Sequence, residues 1–199
     1  NMWRLKAQKE EAGNPYPTHG LGPVAQILNI HRGDRMATLV SMSNAQKGMH
    51  LYAAEHDIAG EDTARIDMGD MNTTLIRTAK GKTIMIQHDV TSPRPYNRIH
   101  MVSGTKGFAQ KYPLTGIALE PNAHEFVSQQ TLDSLLKVYE HPFCKEIGEK
   151  ARKVGGHGGM DFIMDYRLIH CLKNGLPLDM DVYDAAEWSC LVELTDYSV

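Results

Sequence analysis

The chain has 199 residues, of which 42% are hydrophobic and 23% are charged, a composition typical of a globular domain with a core of its own. Its formal net charge is −3 and it contains no basic run, which argues against a nucleic-acid partner. No stretch approaches the roughly 18 consecutive apolar residues of a membrane span, so the sequence predicts no membrane partner.

The first elements along the chain are helical and extended in turn. Residues 20–30 predict a helix with one apolar face and with Pro23 in its first turn. Residues 36–42 predict a strand and residues 44–54 a short helix, whereas the polar residues 56–71 are typical of a loop.

The middle of the chain alternates apolar and polar residues with period two. Residues 72–79 and 82–90 flank Lys80-Gly81, which predicts a hairpin. Residues 97–103 and 106–111 continue as strands around Gly104. The sequence therefore predicts an antiparallel meander.

The chain becomes helical after residue 128. Apolar residues recur with helical spacing after residue 128, across residues 157–174 and across residues 181–195. Strands in the middle and helices at both ends predict an α+β fold, namely an open, largely antiparallel β-sheet with helices packed on one face.

The cysteines and histidines do not form a metal-binding pattern. Cys144, Cys171 and Cys190 are scattered among apolar neighbours and are interpreted as buried free thiols. His124-Glu125 begins like a zinc motif, but Ser128 stands where the second histidine belongs. The sequence predicts no metal site.

A candidate catalytic segment is Pro15-Tyr16-Pro17-Thr18-His19-Gly20-Leu21-Gly22-Pro23. Its prolines and glycines predict a turn that delivers Tyr16 and His19 to the start of a helix. The positive end of the helix dipole disfavours a protonated imidazole, and a neutral histidine is able to act as a general base. The alternative is that His19 only caps the helix.

Two further segments are candidates for ligand binding. In Ser92-Pro93-Arg94-Pro95-Tyr96, the prolines present Arg94 and Tyr96 after an apolar strand, and the alternative is a solvated loop. His157 lies among four glycines, which allow the backbone to approach a ligand closely. The alternative is that these residues form a mobile loop. That glycine segment follows a helix rather than a strand, unlike a dinucleotide-binding loop.

The motifs resemble glycoside hydrolase family 109, the NAD-dependent α-N-acetylgalactosaminidases, within the glucose–fructose oxidoreductase and inositol dehydrogenase superfamily. The resemblance covers essentially the whole chain, through these segments: Trp3-Arg4, YPTHGLGPVAQ at 16–26, SPRPY at 92–96, GGHGGMD at 155–161 and YDAAEWS at 183–189.

The resemblance implies roles for several residues. Tyr16 and His19 match residues implicated in proton transfer. The positions with which the family holds the sugar match Arg4, Tyr16, Pro17, Thr18, His19 and Tyr96. Arg94 and His157 are added here as further candidate ligand contacts on the pattern of their own segments.

The resemblance also implies the cofactor and the chemistry. NAD oxidises the third carbon of an N-acetylgalactosamine-type glycoside, a base removes the proton from the second carbon, the aglycone leaves by elimination, and water adds before the ketone is reduced. Residues 1–199 would form the substrate-binding and oligomerisation domain. The family's N-terminal Rossmann domain, which binds NAD, is not part of this sequence, so no cofactor-binding residue is expected here and the chain alone is expected to be inactive.

Two other functions fit the same motifs. One is an NAD(P)-dependent sugar dehydrogenase of the same superfamily. The other is a non-catalytic carbohydrate-binding or oligomerisation module, because an open sheet face with apolar residues such as Ile84, Ile86 and Ile99 would pair subunits into a homo-oligomer. The resemblance is to bacterial proteins and leaves the compartment open between a periplasm reached by twin-arginine export and the cytoplasm.

Overall fold

The computed structural model describes residues 5–56, 66–89 and 91–199. In chain order the elements are α1 (Leu5–Glu10), α2 (Thr18–Leu28), β1 (Met36–Ser43), α3 (Gly48–Glu55), β2 (Met71–Thr78), β3 (Thr83–Asp89), β4 (His100–Gly104), β5 (Gly107–Lys111), β6 (Gly116–Leu119), α4 (Gln129–Val138), α5 (Pro142–Val154), α6 (Met160–Asn174) and α7 (Val182–Ser198). A short 3₁₀ turn, His157–Gly159, precedes α6. The chain divides into two compact units, the first formed by residues 1–96 and 182–199 and the second by residues 97–181.

The first unit is built on an antiparallel sheet with the strand order β1-β2-β3. Side chains of successive residues point to opposite faces, so even-numbered residues of β2 and β3 such as Ile76, Ile84 and Ile86 face the same way. These three are buried together with Leu21 of α2 and Leu191 of α7 in one cluster. The two helices thus cover one face of the sheet.

The prediction of an α+β fold with antiparallel strands and helices on one face is confirmed. The predicted meander, however, is divided, because β4, β5 and β6 form a second antiparallel sheet in the second unit. Between β3 and β4 lie Pro93 and Pro95, which have no N–H to contribute to a ladder. The strand β6 was not anticipated from the sequence.

The opposite face of the first sheet carries an apolar row. Val40, Leu75 and Met85 are cross-strand partners on β1, β2 and β3, and all three are exposed. The expectation that Ile84 and Ile86 line an open face is wrong, since both are buried beneath the helices. Ile99 is exposed but belongs to the second unit.

Helix α2 begins two residues before its predicted start, so Pro23 is its sixth residue rather than a member of its first turn. A proline at that position removes the helical hydrogen bond that would reach the carbonyl of His19. The helix ends at Asn29, whose left-handed backbone lets its N–H return to the carbonyls of Ala25 and Gln26.

The remaining sequence predictions have mixed outcomes. Cys171 is buried and Cys144 half-buried, whereas the prediction of burial is wrong for Cys190, which lies exposed on α7. The predicted loop at 56–71 falls largely on residues 57–65, which lie outside the described residues. None of the helices in the described ranges is long and apolar enough to cross a membrane.

Candidate functional site

Tyr16 and His19 stack at the start of α2. Their ring centroids are 4.7 Å apart with an interplanar angle of 29°, and both side chains are exposed. No hydrogen bond joins the ring of His19 to any residue that the structure describes, and the helix has no side-chain cap at Pro17. The histidine therefore presents both ring nitrogens beside a tyrosine, which is an arrangement suited to proton transfer.

The turn before α2 is shaped by buried residues. Pro17 is fully buried, and its carbonyl accepts hydrogen bonds from the N–H groups of Gly20 and Leu21 at 3.2 and 2.9 Å. Thr18, the first residue of the helix, is half-buried. Because the side chain of Pro17 is enclosed, its contribution to the site is the shape of the turn.

Asp89, at the end of β3, holds the segment that carries Arg94 and Tyr96. Its Oδ1 accepts hydrogen bonds from the N–H groups of Thr91 and Ser92 at 3.3 and 3.0 Å. Its Oδ2 lies 3.6 Å from Nε of Arg94. Burial by itself would raise the pKa of Asp89, but the hydrogen bonds from Ser92 and the charge of Arg94 outweigh it and hold the pKa below its ordinary value.

Tyr96, which follows Arg94 in the same segment, has 73% of its surface exposed. Sequence reasoning missed Asp89, although an Asp at a strand end often accepts a hydrogen bond from the backbone N–H two residues on, as Asp89 does from Thr91. Asp89 orients Arg94, whereas Tyr96 is presented to solvent at the end of the same segment.

The structure brings the Tyr16–His19 pair and the Asp89 segment to the same end of the first unit. A Cβ on Gly20, in the first turn of α2, would lie 3.6 Å from Cγ2 of Ile86 near the end of β3. At the other end of α2, Nζ of Lys82 donates to the carbonyl of Leu28 at 2.8 Å. The helix thus runs antiparallel to β3, and its N-terminus adjoins the end of β3 that Asp89 occupies.

His157 belongs to the second unit and sits in an unusual backbone. It and its four flanking glycines form five consecutive residues with positive φ, and His157 itself has φ 47°, a conformation that costs energy for a residue with a side chain. Its Nδ1 lies 3.0 and 2.9 Å from the carboxylate oxygens of Asp161. The carboxylate holds Nδ1 and leaves Nε2 directed away from it.

A cleft of about 460 Å³ adjoins His157. Its lining combines apolar side chains such as Met160 and Ile163 with charged ones such as Arg152 and Arg167. Asp161 was missed as a partner of His157, although its position four residues later on a helical pattern is the available signal. The remaining candidate, Arg4, lies outside the described residues.

The described residues provide no group of three or more His, Cys, Asp or Glu side chains that could hold a metal ion. They also lack a strand, glycine loop and helix in succession, which is the unit that seats a dinucleotide pyrophosphate. The glycine segment at 155–159 joins α5 to α6 instead.

Comparison with known proteins gives a consistent result. The family model described as "Glycosyl hydrolase 109, C-terminal domain" matches residues 1–199. A Bacteroides fragilis protein named alpha-N-acetylgalactosaminidase is 57% identical, with 100% of this chain and 47% of the relative covered. A glycosyl hydrolase family 109 protein of Phocaeicola vulgatus is 55% identical over 100% of this chain and 49% of its own length.

A third relative, the glycosyl hydrolase family 109 protein of Porphyromonas gingivalis, is 51% identical over 100% of this chain and 45% of its own length. The chain therefore spans about half the length of the curated relatives it matches.

Proposed function

The chain belongs to glycosyl hydrolase family 109, and from that premise we propose that it is the substrate-binding half of an NAD-dependent glycosidase acting on α-N-acetylgalactosaminides. The observation that carries the proposal is the stack of Tyr16 and His19, exposed at the N-terminus of α2 beside the end of β3. Exposed aromatic and hydroxyl-bearing side chains beside a histidine suit a hydroxyl-rich sugar and a proton transfer.

His19 and Tyr16 move the proton in this proposal. The base, His19 assisted by Tyr16, removes the proton from the second carbon of the sugar. The hydroxyl of the stacked Tyr16 also donates a hydrogen bond to a neighbouring sugar oxygen or accepts one from it. The N-terminus of α2 adds partial positive charge where negative charge develops on the substrate during proton removal.

The other candidates hold and orient the sugar. Tyr96, an exposed residue, donates a hydrogen bond to the sugar, and Arg94, fixed by Asp89, supplies positive charge and N–H donors. Thr18 contributes its hydroxyl and Pro17 the shape of the turn. Arg4 is a sugar contact implied by the family resemblance, and Nε2 of His157, directed by Asp161, is a further one.

In this proposal NAD is held by another part of the full-length protein. Since the described residues lack the strand–glycine loop–helix unit, we assign the cofactor to the part of the relatives' length that this chain does not span. Calorimetric titration of the 199-residue chain with NAD is expected to give no appreciable binding, and a dissociation constant near micromolar would contradict the assignment.

The activity is tested with the full-length protein that carries this chain. Incubated with 4-nitrophenyl α-N-acetylgalactosaminide, it is expected to release 4-nitrophenol and free sugar with no net change in NAD. Stoichiometric reduction of NAD with a free sugar would contradict the proposal and assign a dehydrogenase. Sugar binding without turnover of either kind would assign a carbohydrate-binding module.

The exposed face of the first sheet supports a homo-oligomer. Val40, Leu75 and Met85 form an apolar row across three strands with 60%, 47% and 57% of their surfaces exposed, and apolar rows of this kind are typical of protein interfaces. Light scattering of the full-length protein is expected to give the molar mass of a dimer or a larger assembly. The Leu75→Glu variant is expected to be a monomer. A monomeric wild-type protein would contradict this part of the proposal.

A further inference from the structure

The backbone that leads into the Tyr16–His19 segment is held by the last turn of α7. Oδ1 of Asp196 accepts hydrogen bonds from the N–H groups of Ala12 and Gly13 at 2.6 and 3.3 Å. Oγ1 of Thr195 accepts one from the N–H of Asn14 at 2.8 Å. Three successive backbone donors thus find their acceptors on two neighbouring side chains of a helix more than 180 residues away along the chain.

The contact is as close as the backbone permits. A Cβ on Gly13 would lie 2.5 Å from the backbone nitrogen of Asp196 and 2.6 Å from Oγ1 of Thr195, so only a glycine allows the segment to reach α7. Thr195 is fully buried, and its hydroxyl donates to the carbonyl of Val192 at 3.1 Å. That bond directs a lone pair of Oγ1 towards the N–H of Asn14.

The buried side chain of Asn14 connects this contact to Tyr16. Asn14 is fully buried, and its Oδ1 accepts a hydrogen bond from the N–H of Tyr16 at 3.0 Å. The chain of bonds therefore runs from Thr195 through Asn14 to the backbone of the residue that stacks on His19.

The same helix also supports α2 directly. A Cβ on Gly22 would lie 3.1 Å from the ring of Trp188, and Leu21 and Leu191 pack in the same core cluster. α7 therefore fixes both the segment before α2 and the first turns of α2, and Tyr16 and His19 lie between these two attachments.

We propose that Thr195, Asp196 and Asn14 are positioning residues that set the placement of Tyr16 and His19 for catalysis. The inference rests on the proposed function. Catalytic groups act at full rate only in a narrow range of positions, and a misplacement of about 1 Å costs on the order of 10²-fold in rate. The three residues touch no substrate and act only through the backbone of residues 12–16.

The test uses the full-length protein and three variants. Thr195→Val keeps the shape and removes the acceptor for Asn14 N–H, Thr195→Ser restores the hydroxyl, and Asp196→Ala removes the acceptor for Ala12 and Gly13. Ser198→Ala is the matched control, because Oγ of Ser198 accepts from the N–H of Ser41 at 2.8 Å on β1 rather than from this segment.

Thr195→Val and Asp196→Ala are expected to lower kcat by about 10- to 100-fold with KM changed less than about 3-fold. Thr195→Ser and Ser198→Ala should stay within about 2-fold of wild type. In a background that carries both His19→Ala and Tyr16→Phe, Thr195→Val should cost no further kcat, since its effect passes through these two side chains. An equal loss in both backgrounds, or an equal loss in Ser198→Ala, would overturn the proposal.

Amide hydrogen exchange supplies a readout that does not depend on glycosidase activity. The amides of Ala12, Gly13, Asn14 and Tyr16 are expected to exchange faster in Thr195→Val and Asp196→Ala than in Thr195→Ser, while β2 and β3 stay protected. Unchanged exchange at these four amides would overturn the positioning role. If the wild-type protein is inactive towards the galactosaminide but the variants show the expected differences in exchange, only the proposed function is overturned.

Discussion

The two ends of α2 each carry a histidine stacked on a tyrosine, and the two pairs have opposite surroundings. At the N-terminus, the rings of Tyr16 and His19 are 4.7 Å apart. Just beyond the C-terminus, the rings of His31 and Tyr183 are 5.8 Å apart with an interplanar angle of 24°. The same pair of residue types thus occurs at both ends of α2, and the two pairs differ in their environment.

The C-terminal end is dense with paired charges. Arg32 donates to both carboxylate oxygens of the buried Asp184 at 2.7 and 2.5 Å, and Nδ1 of His31 lies 3.9 Å from Glu187. Nearby, Asp34 accepts hydrogen bonds from the hydroxyl of Thr78 and from two backbone N–H groups. This end joins the loop after α2 to α7 and to the β2–β3 hairpin.

The N-terminal end differs in its bonding. The backbone around Tyr16 is fixed by buried bonds to α7, but the ring of His19 has no hydrogen-bond partner within the described residues. One end of α2 is thus held by paired charges, whereas the other leaves the histidine exposed, as the proposed proton transfer requires.

The largest expected effect is that of His19→Ala on turnover. Loss of the proposed base should lower kcat by about 10² to 10⁴-fold in the full-length protein, with little change in melting temperature, because the ring is exposed and makes no described hydrogen bond. Steady-state kinetics and thermal melting measure the two quantities.

His31→Ala is the matched control for the comparison. It removes the same ring from the other stack and should leave kcat unchanged. Equal losses of kcat in the two variants, or a loss of stability without loss of turnover in His19→Ala, would remove the functional distinction between the two ends.

The next effect is on stability, at the opposite end. Arg32→Met removes the guanidinium from a buried carboxylate and should lower the free energy of unfolding by about 2–3 kcal/mol, below the range for a fully buried pair because Arg32 is partly exposed. The turnover of folded molecules should not change. Urea unfolding measures the loss, with the exposed Arg35→Met as control, and equal stability of the two variants would contradict the prediction.

Tyr96→Phe should have a smaller effect, confined to sugar binding. Losing one hydrogen bond to the ligand costs about 0.5–1.5 kcal/mol, which corresponds to a rise in KM of about 2- to 10-fold. Tyr183→Phe removes the same hydroxyl at the other end and should leave KM as it is. An unchanged KM for Tyr96→Phe, or a drop in its melting temperature instead, would place Tyr96 outside the sugar site.

The smallest effect concerns Asp34 and is measured as a change of stability with pH. Burial alone would raise the pKa of Asp34, but its hydrogen bonds from Thr78, Arg35, Lys80 and Lys82 lower it from 3.8 to about 2. Since the folded pKa is depressed, the native state binds fewer protons, and the stabilisation is present above about pH 4 and lost as the pH falls towards 2.

The difference in unfolding free energy between wild type and Asp34→Asn should therefore shrink as the pH is lowered through that window, while turnover at neutral pH stays the same in both. Urea unfolding at several pH values measures it. A difference that is constant from pH 5 to pH 2 would contradict the assigned bonds.

The sequence predicted those parts of the molecule that depend on local patterns. The hairpin around Lys80-Gly81, the strand at 36–42 and the delivery of Tyr16 and His19 to the start of a helix follow from residue spacing and turn residues, and the structure has all three. The contacts of Asp89 and Asp161 also had local signals in their spacing, which were not used.

The support of Asn14 by Thr195 had no such signal. Thr195 lies 181 residues beyond Asn14, and nothing in the spacing of either segment indicates that they meet. The burial of Ile84 and Ile86 was missed for a related reason, because period two shows that these residues share a face but not which face the helices cover. Long-range contacts of this kind are set by the packing of the whole unit.

The most direct test of the central claim, that the Tyr16–His19 end of the first unit moves a proton of the sugar, is turnover of a galactosaminide by the full-length protein in heavy water. We expect the released N-acetylgalactosamine to carry deuterium at its second carbon, because the base removes the proton from that carbon in each turnover and a deuteron from the solvent replaces it. A sugar released with only its original hydrogen at that carbon would contradict the account, since ordinary glycosidases with two carboxylates leave that bond intact.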